Sequence, residues 1–172
     1  RDRFQAALQI AREMGHGQLE SIVLCNLGLM LESAGDMDSA CRHYERAVAI
    51  GQDLGDRRAE AQIRVYLGRV YARQQHFDIA EECLAVAGSL LEALSDRVTQ
   101  ALLHCSEAEL AHLRGSSDDA WRLLAEAERY ANETQAGADS ELVRTALRLQ
   151  SLFQRASATG PVAQDGTTPS SC

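Results

Sequence analysis

The chain has 172 residues, enough for one domain with a substantial core, and 45% of them are apolar. Its formal net charge of −8 argues against nucleic acid as a partner, because binding phosphates needs a basic surface. No stretch approaches the roughly 20 apolar residues of a membrane-spanning helix, so no membrane partner is expected. The only prolines are Pro161 and Pro169, and helix formers such as Ala, Leu, Glu and Arg are abundant. The composition therefore predicts an all-α protein.

The number and spacing of the cysteines indicate the cellular compartment of the protein. The five cysteines are odd in number and show no C-x-x-C spacing, which is typical of free thiols in a reducing environment. They are Cys25, Cys41, Cys83, Cys105 and Cys172. We therefore expect a cytoplasmic protein. The sequence opens with Arg1 within a helical pattern rather than with Met, so we expect it to be part of a longer protein.

A period of 40 residues organises the chain. Small residues, turn positions, alanines and bulky side chains each recur at this spacing. These columns are Gly28, Gly68 and Ala108; Gly35, Gln75 and Gly115; Ala40, Ala80 and Ala120; and Phe4, Tyr44, Leu84 and Leu124. Each unit contains two segments with apolar residues at i, i+3, i+4 and i+7, which predicts a hairpin of two amphipathic helices.

In chain order, the pattern predicts half a hairpin, three full hairpins, a terminal helix and a polar tail that we expect to be disordered. Their ranges are 1–15; about 18–54, 57–94 and 97–134; about 139–156; and 157–172. Gly35 and Gly115 suit the left-handed residue that ends a helix, and Asp36 suits the N-cap of the helix that follows.

The residues in these columns resemble the tetratricopeptide-repeat family. The first unit carries its pattern as Leu27-Gly28, Leu31, Gly35, Ala40, Tyr44 and Ala47. The second carries it as Leu67-Gly68, Tyr71, Phe77, Ala80, Leu84 and Ala87. The third is weaker, because Glu107 stands where the family has a buried leucine. The resemblance covers about residues 1–156 and implies a right-handed α-solenoid of antiparallel helical hairpins.

The length of the repeat indicates which subclass of the family the chain resembles. Forty residues exceed the family's usual length of about 34. The period is similar to that of a long-helix subclass found in bacterial signalling proteins and in adaptors similar to kinesin light chain. Residues 123–150 also resemble the closing helices of large bacterial regulators. The resemblance therefore implies the interaction module of a larger bacterial regulatory protein.

The resemblance also implies that the first helix of each hairpin lines a concave groove. The expected groove residues are Asn26, Leu29 and Glu32; Gln62, Tyr66, Arg69 and Arg73; and Ser106, Glu109 and His112. Asn26 matches the asparagine with which family members hold a peptide backbone. Arg69 and Arg73 lie one helical turn apart and would offer two guanidinium groups to an acidic partner, unless they pair with nearby glutamates.

Catalysis, metal binding, small-molecule sensing and self-association are the alternatives to peptide binding. The sequence contains no G-x-S-x-G, P-loop or H-E-x-x-H motif, so we expect neither enzyme activity nor a cofactor. Cys105, Glu109 and His112 share one helix face beside His104, but a fourth zinc ligand is not evident, and we expect no metal. We therefore predict a module that binds a peptide or helical segment of another protein. The alternatives are a sensor of a small-molecule inducer in a transcription regulator, and self-association through the open ends.

Overall fold

The computed structural model describes residues 2–158. Within this range the chain forms eight α-helices and no strand, which confirms the predicted all-α fold. The helices are α1 (Asp2–Glu13), α2 (Gly17–Ser33), α3 (Met37–Asp53), α4 (Arg57–Arg73), α5 (Phe77–Glu92), α6 (Arg97–Leu113), α7 (Ser117–Glu133) and α8 (Glu141–Ala158). None of them is both long and apolar enough to cross a membrane.

The turns between helices follow from residues that accept a left-handed backbone. Gly35 and Gly115 have φ angles of +83° and +84°, as predicted. Gln75 occupies the same place in the middle hairpin with a φ of +63°, a conformation that costs about 1–2 kcal/mol in a residue with a side chain. After the first of these turns, the Asp36 carboxylate accepts a hydrogen bond from the Ser39 N–H at 3.1 Å and begins α3.

Close packing within a hairpin depends on glycine. Gly28 lies against the ring of Tyr44, and Gly68 lies against Leu84. A Cβ atom at either glycine would come within 2.8 Å of the facing side chain. Tyr44 is fully buried, and its ring centroid lies 5.9 Å from that of Tyr66 in the next hairpin. The bulky residue of a unit therefore packs both within its hairpin and between hairpins.

The hairpins stack into two layers. Helices α2, α4, α6 and α8 form an inner layer in which consecutive helices contact one another. Helices α1, α3, α5 and α7 form an outer layer, and within residues 2–158 no two of these outer helices are in contact. The inner layer is therefore the more compact one, and the array curves toward it, as expected of an α-solenoid with a concave inner face.

The last helix differs from the predicted one. It begins at Glu141 and ends at Ala158, whereas the sequence pattern predicted about 139–156. The first two residues of the predicted tail, Ser157 and Ala158, are therefore helical rather than disordered. The rest of that tail, 159–172, lies outside the described residues. Helix α8 packs on both α6 and α7, so it extends the inner layer by one helix.

We expect Gly28→Ala to lower the free energy of unfolding by about 1–3 kcal/mol, because the added methyl group overlaps the buried Tyr44 ring. The control is Gly88→Ala in α5, where a Cβ atom would meet Leu103 Cδ2 at 3.6 Å, an ordinary contact distance. That change should stabilise the protein by roughly 0.5–1 kcal/mol, because alanine favours a helix. Urea unfolding measures both effects, and equal stabilities would show that the Gly28 contact is unimportant.

Candidate binding groove

A continuous open groove runs along the concave face between α2 and α4. It has three adjoining sections with volumes of about 180, 300 and 560 Å³. The first and second sections share Ser21, Ile22, Ala59 and Gln62. The second and third share Leu29 and Glu141. We call this feature the α2–α4 groove, and α8 forms one wall of its third section.

The central section brings four predicted site residues together: Asn26, Leu29, Gln62 and Tyr66. Gln62 Nε2 donates a hydrogen bond to the Tyr66 hydroxyl at 3.0 Å, and that hydroxyl donates to Glu141 of α8 at 3.0 Å. Asn26 is exposed, and its amide makes no hydrogen bond to any residue of the described range. Asn26 therefore offers a ligand both a donor and an acceptor.

Tyr66 forms the floor of this section. It is only 1% exposed, and the guanidinium carbon of Arg69 lies 5.0 Å from its ring centroid. Burial raises the pKa of Tyr66, and the negative charge of Glu141 raises it further. The hydroxyl therefore stays protonated and acts as the donor to Glu141.

Arg69 lines the third section of the groove, but its guanidinium group is hydrogen-bonded within the protein. Its Nε and Nη2 atoms each donate to Glu32 of α2 at 2.8 Å, and the residue is 6% exposed. The Tyr44 hydroxyl also donates to Glu32, at 3.0 Å. Burial works to lower the pKa of Arg69, but the charge and hydrogen bonds of Glu32 outweigh it and raise the pKa. Two of the guanidinium nitrogens of Arg69 are therefore already used by Glu32, and a contact between Arg69 and an acidic partner stays a prediction.

Arg73 is engaged in the same way. Its Nε and Nη2 atoms donate to Glu109 of α6 at 2.8 and 3.1 Å, and its Nη1 donates to Glu32 at 2.7 Å. Arg148 of α8 also donates to Glu109, at 2.7 and 3.3 Å. Glu109 is 3% exposed, so it supports the groove from beneath instead of lining it as expected.

These contacts form one ion-pair network across the inner layer. We define it as Glu32, Arg69, Arg73, Glu109 and Arg148. Burial alone would raise the pKa of Glu109, but hydrogen bonds and charges from Arg73 and Arg148 hold that pKa below its ordinary value. In the part of the chain that the structure describes, every buried side-chain nitrogen or oxygen has a hydrogen-bond partner. The cost of burying these charges is therefore offset by complete pairing.

Helix α8 supplies basic residues that sequence reasoning missed. Arg144 lines the third section, is exposed, and has no side-chain partner among residues 2–158. Arg148 lines the same section and keeps 44% of its side chain exposed. The sequence does show that Arg144 and Arg148 are four residues apart, a spacing that places both on one face of a helix. Only the structure shows that this face turns toward the groove.

His112, the remaining predicted site residue, lies beneath α8, where its ring centroid is 4.6 Å from that of Phe153. His112 was also a member of the candidate zinc site, with Cys105 and Glu109. Burial raises the pKa of the Cys105 thiol to about 12, and Glu109 is held by arginines. Within the described range, no three His, Cys, Asp or Glu side chains are placed to hold a metal ion together.

Arg69→Ala should lower the free energy of unfolding by about 3–5 kcal/mol, because it leaves the buried Glu32 carboxylate without its main partner. Arg129→Ala is the control. Arg129 pairs with Glu126 and Glu133 on the solvent side of α7, and losing such a pair should leave the unfolding midpoint unchanged. Chemical unfolding of both variants tests this, and a small effect of Arg69→Ala would contradict a structural role for the network.

Glu109 should also make stability depend on pH. Its folded-state pKa is lowered, so its contribution is complete above the unfolded value of about 4.3 and is lost as the pH falls through the folded value. We expect Glu109→Gln to flatten the fall in stability below about pH 4. Thermal unfolding between pH 3 and about pH 7 measures this. Parallel curves for parent and variant would rule Glu109 out as the source.

Comparison with known proteins agrees with this architecture. Residues 19–93, most of α2 to α5, match the tetratricopeptide-repeat family. The crystal structure of BtubC (BKLC) from P. vanneervenii has the same fold, with a TM-score of 0.67 at 18% identity over 98% of this chain and 77% of that chain. No curated protein matches the sequence. The family match is confined to residues 19–93, and repeats of this family generally bind other proteins. The structural likeness shows the helical-repeat fold.

Proposed function

We propose that the α2–α4 groove binds a short segment of a partner protein that carries an apolar side chain and, a few residues away, a carboxylate. The observation that carries this proposal is the continuity of the groove together with its two unengaged polar groups. The Asn26 amide lies in the central section, and the Arg144 guanidinium lies in the third. One group suits a peptide backbone and the other an acidic side chain.

The two ends of the groove differ in chemistry. In the first section, Ile22 and Leu54 are 52% and 53% exposed, which suits an apolar side chain of the ligand. The third section is lined by four arginines and two glutamates, so its charge is positive within a chain of net charge −8. A carboxylate is therefore attracted to this end, and the ligand has a defined direction.

The dimensions of the groove limit the ligand. Between Gln18 and Ser33, α2 rises about 22 Å at about 1.5 Å per residue. An extended chain covers that length with about seven residues. From Ile22 to Leu29 or Ser33 the distance along α2 is about 10–16 Å. The apolar residue and the carboxylate of the ligand should therefore be separated by about three to five positions.

A small-molecule sensor receives less support. A molecule of that kind usually binds an enclosed, largely apolar pocket, whereas this groove is open along its length and carries mixed charge. Self-association has one observation in its favour. Helix α1 packs only on α2 within the described range, and Ile10 in this helix and Met14 just after it are 52% and 68% exposed. Sedimentation velocity distinguishes a monomer from such an assembly.

The wider setting is also a proposal. We infer a non-enzymatic, cytoplasmic module within a larger bacterial regulatory protein. The four cysteines of the described range are all free, which supports a reducing compartment. The regulatory setting is supported by the sequence resemblance to long-period repeat arrays.

The groove can be tested without knowing the natural partner. A displayed library of random 12-residue peptides is selected on the parent protein, and affinities of the selected peptides are measured by fluorescence anisotropy. We expect enriched peptides to pair an apolar with an acidic residue. Asn26→Ala and Arg144→Ala should each weaken binding at least about tenfold, because each removes an uncompensated contact. Added salt should weaken binding to the parent more than to Arg144→Ala.

Asn132→Ala and Arg129→Ala serve as matched controls, because they delete the same side-chain types from exposed positions of the outer helix α7. Both should bind as the parent does. Selected peptides that bind Asn26→Ala and Arg144→Ala as tightly as the parent would contradict the groove assignment.

A further inference from the structure

A second cleft lies on the other side of α6 from the α2–α4 groove. It is bounded by α5, α6 and α7, opens to solvent and has a volume of about 420 Å³. Its apolar floor is formed by Leu84, Ala85, Leu110, Ala111 and Leu123. We call it the α5–α7 cleft. On the same helix, Glu109 turns the opposite way, toward Arg73 and Arg148, so the two sites share no side chain.

The cleft exists because two side chains present one repeat earlier are missing. Between α3 and α4, the Tyr71 hydroxyl donates a hydrogen bond to Glu45. Forty residues later, Ala111 stands in place of Tyr71 and Ala85 in place of Glu45. Both alanines line the cleft. The loss of a ring from one helix and a carboxylate from the other opens the space between them.

A side-chain hydrogen bond that joins the two helices beside this position is present in both repeats. In the first position, Gln74 Nε2 donates to Asp38 at 2.6 Å and ties α4 to α3. In the second, Arg114 takes the place of Gln74 and donates to Asp78, the counterpart of Asp38, at 3.4 Å. Between α3 and α4 this arrangement holds a half-buried tyrosine ring, and between α5 and α6 the same arrangement leaves a cleft.

We propose that the α5–α7 cleft binds a tyrosine side chain of a protein partner, in the position that Tyr71 fills one repeat earlier. The leucine floor suits an aromatic ring, which gains most of its binding energy from burial. Carboxylates outnumber guanidinium groups at the rim, where they are Glu81, Glu107, Asp119, Arg114 and Arg122. Glu81 accepts a hydrogen bond from Arg114, and Asp119 accepts one from Arg122. Glu107 is paired with His104. A carboxylate has further lone pairs, so this rim can still accept a hydrogen bond from a phenol, and its excess of negative charge disfavours a carboxylate ligand of the kind proposed for the α2–α4 groove.

The test uses N-acetyl-L-tyrosinamide as the probe, titrated into the ¹⁵N-labelled chain and followed by NMR. Saturable shifts are expected at amides of α5, α6 and α7. N-acetyl-L-alaninamide, which lacks the ring, should give none. Ala111→Tyr places the chain's own ring in the cleft and should weaken probe binding at least about tenfold. Ala111→Ser keeps the position small and should bind as the parent does.

Two further variants keep the result interpretable. Ala85→Leu blocks the cleft from an exposed position of α5, so it should abolish binding even if Ala111→Tyr fails to fold. The double change Glu45→Ala with Tyr71→Ala copies the cleft between α3 and α4 and should add a second set of shifted resonances there. The groove variants Asn26→Ala and Arg144→Ala should bind the probe normally, so failure of one site is distinguishable from failure of the other.

Several outcomes would overturn the assignment. One is the absence of saturable shifts in the parent; another is binding that persists in both Ala111→Tyr and Ala85→Leu. Sedimentation velocity covers the remaining case. If the parent dimerises and both blocking variants are monomeric, the cleft is filled by a second copy of the chain, and the proposed protein partner is wrong.

Discussion

Two buried glutamates, Glu32 and Glu109, each accept hydrogen bonds from two arginines, and Arg73 bonds to both. The resulting network joins α2, α4, α6 and α8, so every inner helix has a charged contact with its neighbour. Apolar packing alone tolerates small sliding movements between helices, because it is not directional. Paired charges at fixed distances restrict such movements, so this network favours one register of stacking.

The network also determines which arginine side chains along the groove are left without a hydrogen bond inside the protein. Arg69 and Arg73 lie on the helix that faces the groove, yet their hydrogen bonds are used within the protein. Arg144 and Arg148 come from α8 and reach the same space from the opposite wall. The positive charge of the third section of the groove therefore depends on α8, a helix that contributes little to the repeat pattern. Helix α8 therefore contributes both to the network, through Arg148, and to the charge of the third section, through Arg144 and Arg148.

The local parts of this structure were predictable, and the long-range parts were not. The left-handed turns at Gly35 and Gly115 follow from a 40-residue pattern that each hairpin satisfies by itself. The resemblance also implied that Asn26 lines the groove, and Asn26 lies in the central section, while its role in binding stays a prediction. The partners of Arg69 lie 37 residues away on another helix, and their meeting depends on how helices cross. The path of α8 follows a longer connection, 134–140, whose geometry has no counterpart in the earlier repeats.

The outer helices of the array do not contact one another within the described residues. Each outer helix is instead held by inner helices, because α3 packs on α4 and α5 packs on α6 of the next hairpin. A change in the angle between hairpins would therefore disturb these contacts and the arginine side chains that span the concave side. The inner helices thus carry the contacts from one hairpin to the next on both of their sides, as the spine of the array.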